Sequence, residues 1–151
     1  MGYFVRRLTP LALATAMIFI NAPMASAQTT AANTSVSEEA KRLTGEAMVA
    51  FKAGDYGRGE RAAAQAVELI RQSGNDNSVE FSSALSARAI NLDALGRSAE
   101  AEPLLRRALS LRTDVLGEKH PYAIASINNL ALNLDALGRS AEAPHNDRGT
   151  Q

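Results

Sequence analysis

The chain contains no cysteine and no tryptophan, and aromatic residues make up only 5% of it. Without cysteine there can be no disulfide, no thiol nucleophile and no thiolate-held metal. An exported protein can lack cysteine as readily as a cytosolic one, so this absence alone fixes no compartment. Charge of one sign is also not in excess. Sixteen basic side chains face sixteen acidic ones, which gives no electrostatic reason to expect nucleic acid or an anionic membrane as partner.

Catalytic signatures are equally scarce. The glycine cluster "GDYGRG" at 54–59 lacks the Lys-Ser/Thr pair that completes a phosphate loop. No serine stands in a G-x-S-x-G setting. His120 precedes Pro121 and His145 lies in a polar tail, and neither has a second ligand at metal spacing. Glu100 and Glu102 read as solvated acids near the start of a helix, and Arg106-Arg107 as a solvated helix face. The expectation is a protein that is not an enzyme and holds neither cofactor nor metal.

Among the features that are present, the N-terminus is a targeting signal. Arg6 and Arg7 precede the apolar run "TPLALATAMIFI", and Ala25-Ser26-Ala27 offers small residues at signal-peptidase spacing. The apolar run is too short to span a bilayer and holds Pro10. Residues 1–27 are therefore expected to be a signal peptide cleaved after Ala27, with a periplasmic or secreted product. No cysteine follows the run, which excludes a lipid-anchored form. After cleavage, 14 basic residues would face 16 acidic ones, since only Arg6 and Arg7 are lost. The stretch "QTTAANT" at 28–34 has nothing to bury, so 28–35 is expected to be disordered.

The eleven residues "NLDALGRSAEA" occur at 91–101 and again at 133–143, 42 positions later. The same offset aligns Gly54, Gly96 and Gly138, then Ala47, Ala89 and Ala131, and also Ala66 with Ala108. A period in this range with helical composition marks a solenoid of stacked helical pairs. Each unit reads as two helices. Ile124, Ile127, Leu130, Ala131, Leu134 and Leu137 recur three and four apart, which is one apolar helix face. Glycine at 138 then accepts the left-handed turn that ends a helix. Ser98 and Ser140 are candidate N-caps, and Pro103 fits only near a helix start, so a second helix should begin at about 98–100. Its buried face should hold Ala101, Leu104, Leu105, Ala108, Leu111, Arg112 and Val115. Ser35 and Glu38 form a capping box for the first helix, which should run to about Ala53. Gly59 stands where the later unit has Ala101, at a helix-propensity cost of about 1 kcal/mol.

These features resemble the tetratricopeptide repeat family, in its kinesin-light-chain-like form. The residues that carry the resemblance are 116–143 and 91–117, including the glycine after each first helix and "HP" before the next. The resemblance covers residues 36–143 and implies an all-α fold, an α-solenoid of about two and a half units with five helices. The units would be 36–77, 78–119 and an incomplete 120–143, because "PHNDRGTQ" replaces the apolar continuation after the second "SAEA". Residues 144–151 are expected to be a disordered tail.

The resemblance also implies function. First helices of such units line a concave face that holds peptides or partner segments. Carried over by position, the partner-binding groove would comprise Thr44, Met48, Phe51 and Lys52, then Ser86, Ile90 and Asp93, then Asn128, Leu132 and Asp135. The expected function is a non-enzymatic protein- or peptide-binding scaffold of the bacterial envelope, the alternative being a truncated relic of a longer array. Expected partners are a protein or peptide, with no nucleic acid and no membrane insertion after cleavage. A weak homodimer through the 121–137 helix would cover its unpaired apolar side.

Overall fold

The computed structural model describes residues 22–144. The chain divides into two compact units, 1–32 and 33–151. Of the first, residues 22–32 are helical, and the expected signal run before them lies outside the described residues. No helix among the described residues is long and apolar enough to cross a membrane.

Helix α1 spans Ala22–Lys52. This differs from the expected start at Ser35 and from disorder over 28–35. The reason is local. No proline or glycine interrupts the chain between Pro23 and Gly45, and Pro23 sits in the first turn, where its missing N–H costs nothing. The capping box is therefore not at a helix start, and Glu38 instead pairs with Lys41 at 3.1 Å. The cleavage site expected after Ala27 falls within the helical stretch.

The second unit continues with α2 (Tyr56–Gln72), α3 (Val79–Ala94), α4 (Ser98–Leu116) and α5 (Pro121–Ala136), then a single 3-10 turn at Ser140–Glu142. The described residues thus form five helices and no strand. The glycines in register, Gly54, Gly96 and Gly138, all take positive φ, between 72° and 78°. Caps are side chains that accept an exposed backbone N–H. Asp55 accepts from Arg58, Ser78 from Phe81 and His120 Nδ1 from Tyr122. Ser98 and Ser140 are not caps. Arg97 precedes α4 and makes no side-chain cap bond. It holds Glu100 through two bonds of 2.7 Å, and Ser140 donates to Asp135 at 2.6 Å.

Packing follows chain order, α2 on α3, α3 on α4 and α4 on α5, with α3 also touching α5. One core gathers Ala40, Leu43 and Ala47 with Ala62, Ala63, Ala66 and Ile70, then Phe81, Ala84, Leu85, Ala108 and Leu111. A second gathers Ala89, Leu92, Ala101, Leu105, Leu130 and Leu134. The aligned alanines Ala47 and Ala89 are wholly buried, which lets neighbouring helices approach closely, whereas Ala131 is half-buried.

Two expected faces are corrected. Val115 is 53% exposed, at the end of α4. In α5 the buried side is Ala123, Ser126, Leu130, Asn133 and Leu134. Ile124, Ile127, Ala131 and Leu137 are only half-buried, because α4 covers one side and no further helix among the described residues covers the other. Gly59 is not a defect either. A Cβ there would lie 2.1 Å from Oδ1 of Asn91, so the missing side chain is the space that the Asn91 amide fills.

Candidate functional site

The 42-residue period aligns the three first helices α1, α3 and α5 position by position. Met48, Ile90 and Leu132 form one aligned row, grading from half-buried to 70% exposed at Leu132. Thr44, Ser86 and Asn128 form a second row, and Phe51, Asp93 and Asp135 a third. At one end of this surface lies an open depression of about 230 Å³, lined by Lys41, Thr44, Val79, Glu80, Ser83 and Tyr122. Every lining residue comes from α1, α3 or α5, and none from α2 or α4.

The ten expected groove residues fare unequally. Thr44 lines the depression, its hydroxyl donating to the Ala40 carbonyl at 2.8 Å. Met48 packs against the core. Phe51 lies against the Tyr56 ring, with centroids 5.5 Å apart. Lys52, Asn128, Leu132 and Asp135 are exposed, and Ile90 is half-buried. Asp135 accepts the Ser140 hydroxyl. Asp93 is engaged, accepting from Asn133 Nδ2 at 2.7 Å. Ser86 is buried, because α3 is the middle helix and is covered from both sides, and its hydroxyl donates back to the Ser82 carbonyl at 3.0 Å. It is not an accessible groove residue.

The depression also holds a residue that the expected groove did not include. Tyr122 follows the "HP" pair and is 57% exposed. Behind it lies Arg112, the one charged residue buried among those described. Its Nε donates to Ser82 Oγ at 3.0 Å, Nη1 to Ser126 Oγ at 2.6 Å and to the Tyr122 carbonyl at 3.4 Å, and Nη2 to Ser83 Oγ at 3.4 Å. The guanidinium also sits 5.8 Å from the centre of the Tyr122 ring. No carboxylate pairs with it among the described residues. Burial lowers its pKa from the ordinary value, and arginine nonetheless stays protonated at neutral pH. An arginine in the middle of an apolar stripe was the available signal, since burying a charge requires a set of partners.

His120 uses Nδ1 as the cap of α5, and its ring lies tilted against that of Tyr122, with centroids 5.3 Å apart. Among the described residues no three His, Cys, Asp or Glu side chains stand where they could share a metal ion. What the surface offers is a hydroxyl-lined hollow with an exposed aromatic, one lysine and one glutamate, continued by an apolar row. This is the chemistry of a contact face for a polypeptide, whose backbone can use the hydroxyls and whose side chains can use the row.

No curated protein matches the chain. A family model for the tetratricopeptide repeat matches residues 43–114 and 80–144, two overlapping placements that together take in most of the chain. With a 42-residue period, paired helices stacked in chain order and glycines in register at each hairpin turn, the chain belongs to the tetratricopeptide repeat family, whose repeats are scaffolds for protein–protein interaction.

Proposed function

We propose that the protein is a non-enzymatic scaffold of the bacterial envelope that holds an extended segment of a partner protein along α1, α3 and α5. The observation that carries this reading is the depression built by those three helices alone. Three successive units contribute to one surface, as a ligand spanning several repeats requires. Tyr122 and Leu132 are its exposed anchors. Export is supported by Arg6-Arg7, the apolar run and Ala25-Ser26-Ala27.

A photo-crosslinking residue placed at Tyr122 or Leu132 in the producing cells tests the groove. A discrete partner band is expected from both positions and not from Arg107, which is exposed on α4. Equal labelling from all three positions would remove the groove from the proposal. Sequencing the N-terminus of the cell-made protein tests export separately. Gln28 is expected, and an intact Met1 on soluble cytoplasmic protein would rule the envelope out.

A further inference from the structure

The 42-residue register lets the end helix α5 be read against the interior helix α3. In α5 the buried side is Ala123, Ser126, Leu130, Asn133 and Leu134. Away from that side, Pro121, Ile124, Asn128, Leu132 and Asp135 follow one another three or four residues apart, which makes them one stripe of the helix. Leu132 is 70% exposed, Asn128 and Asp135 are exposed and Ile124 is half-buried. The register sets Ile124 and Asn128 against Ser82 and Ser86 of α3, which are both buried. An end unit that meets only water needs a more polar outer face than an interior one. Here the reverse holds, since isoleucine stands where the covered helix has serine. The stripe is patterned for contact.

It also reads the same in both directions. Its steps are three, four, four and three, with Asn128 at the centre. On a second α5 laid antiparallel about a two-fold axis at Asn128, Ile124 faces Leu132 of the copy, and Ala125 faces Ala131. The alanines let the two backbones come close. Asn128 meets Asn128, and an amide carries both donor and acceptor, so it can pair with itself. Asp135 comes to the first turn of the opposite helix. The helix dipole favours an anion there, and that turn holds no acidic residue of its own. No like charges face each other. We infer that the exposed side of α5 is self-complementary and that its occupant is α5 of a second copy, in an antiparallel two-fold dimer. Leu132 also belongs to the proposed groove, so a partner segment and a second copy compete for it.

The chain has no cysteine, so single introduced cysteines report contact between copies directly. On mild oxidation of the purified protein, Asn128→Cys should form a disulfide-linked dimer, and Arg107→Cys, exposed on α4, should not. Ile124→Cys and Leu132→Cys should link to each other when mixed but not each to itself. In the antiparallel pair like positions lie about 12 Å apart along the helices, and a disulfide needs Cα atoms within about 7 Å. Sedimentation of the wild type should show a concentration-dependent dimer, and Leu132→Glu should raise its dissociation constant about tenfold or more, because the dimer would bury that charge without a partner. Leu132 is exposed in the single chain, so the helical circular dichroism of that variant should not change. A wild type that stays monomeric at every concentration, or a dimer indifferent to Leu132→Glu, would overturn the inference. So would Ile124→Cys linking to itself as readily as to Leu132→Cys, which is the mark of a parallel or unspecific contact.

Discussion

The eleven residues at 91–101 lead into a 19-residue helix, whereas the same eleven at 133–143 end in one 3-10 turn of three residues. Local sequence is identical, so the difference comes from the residues downstream of each copy. After the first copy, "EPLLRRALSL" supplies an apolar face that packs on α3, and packing offsets the cost of nucleating the helix. After the second, Pro144 comes at once. It holds Ala143 extended, at φ −64° and ψ 134°, as expected for a residue before proline. Glu102 also precedes a proline, yet remains helical within the long packed α4. The two asparagines that open the copies diverge as well. Asn133 donates to Asp93 and to the Ser98 carbonyl. For Asn91 the register puts Phe51, which offers no acceptor, in the place of Asp93, and the Asn91 amide donates to the Ala87 and Ala47 carbonyls instead. Gly59 makes room for it.

The largest test of this contrast deletes the same leucine from each copy. Leu92 and Leu134 are 1% and 0% exposed. Each change to alanine should cost about 2–5 kcal/mol, the spread depending on how far the site can collapse. Leu92 sits mid-stack and should fall near the top of that range, with Leu134 at the end of the stack near the bottom. Equal losses in urea denaturation would mean that the two copies share one environment.

Gly59→Ala comes next. Helix propensity favours it by about 1 kcal/mol, but the clash with Asn91 should prevail, for a net loss of about 1–3 kcal/mol. Adding Asn91→Ala should recover part of the loss, because the space then exists. A stabilised single variant would show that the asparagine has another place to go. In the same range, Ala89→Leu should cost about 1–3 kcal/mol by overpacking a wholly buried seam. Ala131→Leu, on the open flank, should cost clearly less, and the reverse order would break the register.

The smallest effect concerns the matched ion pairs Arg97–Glu100 and Arg139–Glu142, both exposed. Replacing Glu100 or Glu142 with alanine should barely move the unfolding midpoint. Hydrogen bonds from Arg97 and Arg139 hold the Glu100 and Glu142 carboxyls below the ordinary carboxylate range. Their small contribution is therefore present above that ordinary value and is lost as pH falls through the lowered one. A urea midpoint that rises on acidification below that range would contradict the assignment.

The period, the helix pairs and most of the buried positions were legible because each depends on spacing along one helix. Ala47, Ala89, Leu105 and Leu134 are buried as their spacing implies. The N-terminal extent of α1 was not legible, since "QTTAANT" lacks both a helix breaker and an apolar face. Of the expected groove positions, Thr44 lines the depression and Leu132 is exposed, whereas Ser86 is buried. Its accessibility is set by α3 being covered from both sides, which no single-helix pattern records. Gly59 needed Asn91, 32 residues away, to be understood.

The buried arginine also bears on the mechanics of the stack. Arg112 joins α4 to α3 through Ser82 and Ser83 and to α5 through Ser126 and Tyr122. One unit earlier, the aligned residue is Ile70, buried at 4% exposure in a purely apolar core. Apolar contact is non-directional and tolerates small rotations, whereas hydrogen bonds weaken steeply as their angles open. At this position the joint between the second and third units is therefore held by directional bonds, where the joint between the first and second has apolar contact. A partner that bends this solenoid should leave the arginine-linked end that carries Tyr122 rigid.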